Sequence, residues 1–236
     1  MKWFPKILFA LYSLLLFCNC SQEQTLPYYN NLNSAPKQLK YLALGDSYTI
    51  GQNVCDTCRF PEQLKSGIHR TFPNDSFSLK IIATTGWTTT NLINAINTQN
   101  PTSDYDLVTL LIGVNNQYQH KPFALYEQEF PQLVDKAVAL AKGDKTNVIV
   151  VSIPDYAFTP YGHGAESISS EIAQYNTFAQ EYCNRNQIEF VDITDITQQG
   201  LMHPELVASD GLHPSGLAYA KFVERIFPKA RVILTN

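Results

Sequence analysis

The chain has 236 residues, with 17 Lys and Arg against 21 Asp and Glu, a formal net charge of −4 at neutral pH. That balance, with no basic run and no interleaving of basic and aromatic side chains, excludes a nucleic-acid surface. The length suffices for one domain with a sizeable core.

The chain opens on a secretory layout. Lys2 and Lys6 precede an almost wholly apolar run from Ile7 to Phe17, too short to cross a bilayer, which needs about 20 residues. Residues 1–20 read as a signal peptide, residues 21–38 as a polar leader and residues 39–236 as the folded domain. Export to the cell envelope or beyond follows from this reading. Removing residues 1–20 takes away two basic side chains and no acid, which leaves 15 against 21 and a net charge of −6. Cys18 and Cys20 close the apolar run, and a cysteine there resembles the lipidated cysteine of bacterial lipoproteins. Cys20 is the favoured anchor, although Phe17-Cys18-Asn19 before it departs from the small-residue pattern. Plain secretion with two incidental cysteines is the alternative. Contact with a membrane is expected only through such an anchor.

The first strand is read over 40–45 (KYLALG) and delivers Gly45-Asp46-Ser47. Cys55-Asp-Thr-Cys58 follows, a spacing open to a zinc half-site, a redox pair or a local disulfide. No second CxxC or HxxxH completes a zinc site, and no metal is expected. A disulfide pinning the loop after Ser47 suits an exported chain best. A helix over 61–72 leads to a strand over 78–84, which delivers Gly86-Trp87. A helix over 89–98 leads to a strand over 106–113 and to Gly113-Val114-Asn115-Asn116. The helix over 122–142 carries Phe123, Tyr126, Phe130, Leu133, Val134 and Ala137 at helical spacing. A strand over 147–154 runs into the aromatic segment IPDYAFTPYGHG at 153–164. A helix over 167–186 holds Cys183, read as a buried thiol, and a last strand covers 188–194. After Asp210-Gly-Leu-His213, a final helix starts at Pro214 and lines up Leu217, Ala220, Val223 and Phe227. Continuous apolar strands alternating with helices imply a three-layer α/β domain around a five-stranded parallel sheet.

In such a sheet, ligands bind at the carboxyl ends of the strands. The clusters at Ser47, Gly86 and Asn115 therefore project onto one edge. A serine needs a base to act as a nucleophile. Of five histidines only His213 sits in an arrangement that looks prepared, with Asp210 three residues before it, close enough through a turn to hold its ring and fix its tautomer. Asn115 offers a side-chain amide, Gly86 an unobstructed backbone N–H, and Ser47 its own N–H, the kind of donors that stabilise an oxyanion. Each of these alone is an ordinary turn or cap residue. The nucleophile-elbow pattern G-x-S-x-G is absent.

Taken in order, Gly45-Asp46-Ser47, Gly86, Gly113-x-Asn115 and Asp210-x-x-His213 resemble the four blocks of the SGNH/GDSL hydrolase superfamily. The resemblance spans about 40–228. It implies a flavodoxin-like α/β/α fold and ester hydrolysis through a serine acyl-enzyme without a cofactor. Ser47 is then the nucleophile, His213 the base and Asp210 its partner, with Ser47 N–H, Gly86 N–H and the Asn115 amide as the oxyanion hole. Asn116 departs from the aspartate often found there, and the Cys55/Cys58 pair is a second departure. Aromatic residues and a histidine near the site, Tyr48, Trp87, Tyr118, Tyr156 and His163, are candidate pocket residues. The expected substrate is a small-molecule or carbohydrate ester with a short acyl group, taken by a monomer. A lysophospholipase or thioesterase is the nearest alternative, and a non-catalytic surface-anchored binding protein the alternative from another class.

Overall fold

The first strand, β1 (Gln38–Gly45), buries Tyr41, Leu42, Ala43 and Leu44 completely. Burial of consecutive residues means that both faces of the strand are covered, as in the middle of a parallel sheet. The computed structural model of the chain describes Met1 and residues 35–235. The signal peptide, most of the leader, Cys18 and Cys20 lie outside the described residues. The order continues with α1 (Ser47–Ile50), α2 (Phe60–Thr71), β2 (Ser76–Ala83), α3 (Thr89–Gln99), β3 (Leu107–Leu111), α4 (Val114–Tyr118) and α5 (Phe123–Leu140). It closes with β4 (Val148–Val151), α6 (Glu166–Asn186), β5 (Glu189–Val191), α7 (Thr194–Thr197) and α8 (Gly216–Thr235).

All pairings are parallel and the strand order is β2-β1-β3-β4-β5. The chain reverses its direction of travel across the sheet between β1 and β3, which makes that pair the topological switch point. Gly45, the last residue of β1, lies level with Ala83 of β2 and Leu111 of β3. Three loops therefore leave the sheet at one height.

Helices cover the sheet in two layers. On one side α5 meets α6 through aromatic rings, with Tyr126 and Tyr175 centred 4.6 Å apart and Phe123 edge-on to Tyr175 at 4.9 Å. On the other, α2 packs on α8 through Phe60 and Tyr219, whose centroids are 6.3 Å apart. Among the described residues no helix is long and apolar enough to cross a membrane.

The three-layer α/β architecture expected from the alternation is present. The differences fall at element ends. β3, β4 and β5 stop short of their predicted ends because the chain turns off the sheet into α4, the 156–158 turn and α7. The last helix starts at Gly216 and not at Pro214. Pro214 instead forms an isolated antiparallel bridge with Val207, and Ser215 Oγ accepts from Ala218 N–H at 3.3 Å.

Gly45 shows how tightly the switch point is closed. A Cβ there would stand 2.1 Å from Thr49 Oγ1 and 2.4 Å from the Leu111 carbonyl oxygen. The backbone oxygen cannot move without breaking the β1–β3 pairing. Gly45→Ala should therefore lower stability by about 1–3 kcal/mol. A urea midpoint equal to that of the wild type would show that the strand ends have slack.

Candidate active site

Asp46 organises the first loop. It caps α1, its Oδ1 accepting from Tyr48 N–H at 3.0 Å while its carbonyl accepts from the N–H groups of Thr49 and Ile50. Ser47 is the first residue of that short helix and is 3 % exposed. Asp46 is itself fully buried, and its second oxygen accepts from the Asn115 amide at 3.4 Å. Burial pushes its carboxyl up to about 7, although the bonds from Tyr48 and Asn115 pull the other way.

Asp210 lies in a contrasting setting. One of its oxygens accepts from the backbone N–H groups of Leu212 and His213, both at 3.0 Å. The other meets His213 Nδ1 at 2.7 Å. Burial alone would raise this carboxyl, but these bonds outweigh it and hold Asp210 below the usual carboxylate range. A carboxylate only accepts, so Nδ1 carries the proton and Nε2 is left as the basic nitrogen. The turn holding the pair is closed by Ala208 N–H donating to the His213 carbonyl at 2.7 Å. The His213 ring is nearly buried and rests on Tyr48, ring centres 5.2 Å apart. Tyr48 follows Ser47 directly, so this stacking brings the histidine to the start of α1. Among the described residues no hydrogen bond joins Ser47 Oγ to the imidazole.

The donor side is built on β2 and β3. Gly86 has φ +81°, and a Cβ placed on it would meet nothing within 4 Å. Among the described residues neither Gly86 N–H nor Ser47 N–H has an acceptor. The Asn115 amide donates to the Trp87 carbonyl at 3.0 Å and to Asp46 at the longer 3.4 Å. Asn116 is a packing residue. It accepts from Thr89 N–H and donates to Thr89 Oγ1, whose own hydroxyl donates to Glu129. An ionised aspartate there could only accept, so asparagine suits this relay.

The expected pocket residues divide. Tyr48 and Tyr156 are buried, at 3 % and 5 % exposure, and help enclose a cavity of about 10 Å³ beside His213, room for a single water. Tyr156 hydroxyl donates to Gln117 at 2.8 Å. Trp87 is half-buried and engaged through its carbonyl. Tyr118 is 44 % exposed and shares a 2.7 Å hydroxyl contact with Tyr161, itself 48 % exposed. His163 is exposed, at φ +52°. Cys55 and Cys58 are joined as a disulfide, and Cys183 is buried as expected, which pushes its thiol up to about 12. Among the described residues no group of three or more His, Cys, Asp or Glu could hold a metal ion. Sequence reasoning missed Gln119, whose amide donates to the Gly86 carbonyl at 2.8 Å and holds that turn.

The family model of the GDSL-like lipase/acylhydrolase family matches residues 43–221. The chain belongs to that family. A GDSL-like lipase/acylhydrolase is a carboxylic ester hydrolase. No protein of curated function matches by sequence. Solved structures with the same fold include a lipase from a goat rumen metagenome, at 20 % identity and TM-score 0.66, covering 81 % of this chain and 97 % of that one. The acetylxylan esterase Axe2 from Geobacillus stearothermophilus is similar at 17 % identity and TM-score 0.63, covering 83 % and 95 %. A lipase/acylhydrolase from Enterococcus faecalis is similar at 19 % identity and TM-score 0.63, covering 82 % and 97 %.

The setting of Asp46 in this GDSL-like enzyme makes stability depend on pH. Its folded value of about 7 lies above the ordinary 3.8, so the folded state binds the proton more tightly than the unfolded one. The associated stability is complete below the unfolded value and is lost as pH rises towards 7. The urea midpoint of the wild type should fall between about pH 4 and pH 7 more than that of Asp46→Asn. Parallel midpoints across that range would exclude Asp46 as the titrating group.

Proposed function

We propose that the protein is an exported serine esterase that removes short acyl groups, foremost acetyl groups, from carbohydrates. The observation that carries the catalytic reading is the Asp210–His213 bond of 2.7 Å, with the imidazole resting on the residue next to Ser47. In this mechanism Ser47 Oγ attacks the ester carbonyl while His213 Nε2 takes its proton. Ser47 N–H and Gly86 N–H, both unpaired, receive the oxyanion. The Asn115 amide joins them by exchanging its long bond to Asp46. His213 then gives the proton to the leaving alcohol. Water, deprotonated by the same nitrogen, releases the acid from Ser47. Asp210 orients the imidazole and stabilises its charged form.

Two observations support the substrate class. One solved structure with the same fold is the acetylxylan esterase Axe2. The alcohol side is lined by Tyr118, three residues beyond Asn115, and by Tyr161, whose N–H donates to the carbonyl of Gly211 between Asp210 and His213. Two half-exposed tyrosines offer flat apolar faces with hydroxyl edges, a surface suited to the C–H and O–H groups of a sugar ring. Export is supported by Lys2, Lys6 and the apolar run to Phe17, and by a disulfide of the kind that persists in oxidising compartments.

A serine-reactive fluorophosphonate should label the wild type and leave Ser47→Ala unlabelled. Equal labelling of both, or none of either, would sink the esterase reading. His213→Ala should lower kcat by about 10³-fold or more, and Asp210→Ala by less, since the imidazole keeps a basic Nε2 once its partner is removed. On nitrophenyl esters of increasing length, kcat/KM should be greatest for acetate. A preference for long chains would move the assignment to a lysophospholipase or thioesterase. Tyr118→Ala and Tyr161→Ala should each raise KM for an acetylated xylo-oligosaccharide about five- to tenfold while leaving nitrophenyl acetate unchanged. Equal effects on both substrates would remove the carbohydrate from the proposal.

A further inference from the structure

The loop after the nucleophile reaches three parts of the site. It leaves α1 at Gly51, whose N–H, with that of Gln52, donates to the carbonyl of Ser47 at 3.0 and 2.9 Å. The Gln52 side chain accepts from Thr85 Oγ1 at 2.6 Å, immediately before Gly86. Asn53 is held at φ +64°, a left-handed conformation costly for a residue with a Cβ. Its amide donates to Ser209 Oγ at 2.8 Å, directly before Asp210. Cys55 and Cys58 then tie the end of the loop into a short ring with their disulfide. Gln63, in the first turns of α2, donates from one amide to both the Cys58 carbonyl, at 2.5 Å, and the Gly216 carbonyl, at 2.9 Å. Gly216 is where α8 begins, and a Cβ there would press on Cys58 Cβ at 3.3 Å.

Ser209 and Gly216 bracket the Asp210–His213 turn. The loop that starts on the carbonyl of Ser47 thus grips the turn of the base on both sides and reaches the Gly86 turn as well. Ser47 and His213 share no hydrogen bond of their own, so their approach is set by what holds the two segments. Single bonds at the surface hold weakly. The short Cys55–Cys58 ring stiffens the end of the loop, between the Asn53 bond to Ser209 and the Gln63 bond to Gly216.

We propose that the segment from Gly51 to Gln63, in the first turns of α2, is a clasp that sets the distance between Ser47 and His213, with Asn53 and Gln63 as its positioning residues. This rests on the serine-esterase reading above. Asn53 and Gln63 touch no substrate; they act through Ser209 and Gly216. The clasp therefore controls how readily Ser47 is activated, and it leaves substrate binding alone.

The test measures the fluorophosphonate labelling rate, kcat and KM for nitrophenyl acetate, and thermal melting in the wild type and four variants. These are Asn53→Ala, Asn53→Gly, Gln63→Ala and the double variant Cys55→Ser/Cys58→Ser. Asn53→Gly relieves the left-handed backbone while removing the bond to Ser209, so it separates strain from grip. In each variant, labelling rate and kcat should fall together by about tenfold with KM within about twofold. The loss should appear in Asn53→Gly even where its melting point equals or exceeds that of the wild type. Should the cysteine double variant fail to fold, the Asn53 and Gln63 variants decide. A labelled wild type whose rate is matched by folded Asn53→Gly and Gln63→Ala overturns the clasp alone. A wild type that takes no label overturns the esterase reading and the clasp with it.

Discussion

The level at which β1, β2 and β3 end is the constraint on which the site depends. Gly45 stands beside both Ala83 and Leu111, and a side chain at Gly45 has no space. With the three ends flush, Ser47, Gly86 and Asn115 leave the sheet from one edge at the switch point. A shift of β1 by one residue would reverse the face of every side chain it buries, so the same packing that fills the core fixes the height of the nucleophile. The donors and the serine owe their arrangement to strand register more than to any bond between them.

Two aspartates near Ser47 illustrate how burial and hydrogen bonding divide roles between like side chains. Asp46 has lost its water and gained one good backbone bond and one long amide bond, so it resists ionisation. Asp210 keeps part of its exposure and gains two backbone bonds and the imidazole, so it favours ionisation. The first braces the helix that presents the serine. The second, in the proposed mechanism, carries the charge that an imidazolium formed during the reaction needs beside it.

Much of this was legible in the sequence. Buried strands announce themselves as unbroken apolar runs, and α5 as aromatic residues at helical spacing, because burial acts on consecutive or periodic positions. The pairing of Asp210 with His213 was legible for a local reason, since three residues and a glycine suffice for the turn. Gln63, Gln119 and Asn53 left no such trace. Each acts through one amide on a backbone or hydroxyl group distant in the chain, and no periodicity records that. Tyr48 reads as a pocket residue because it is an aromatic side chain in a loop after a strand. One step along a helix turns a side chain through about 100°, and the step from Ser47 sends it inward under the imidazole. Pro214 reads as a helix start on its ring geometry, whereas the bridge to Val207 claims it first.

His213 follows every strand of the sheet, whereas Ser47 follows only the first. In the proposed mechanism the serine is therefore made long before its base. A chain cut short before Asp210 holds all five strands, and with them Ser47, Gly86 and Asn115, yet lacks the imidazole that would take the proton. Under that mechanism hydrolysis waits on the last part of the chain.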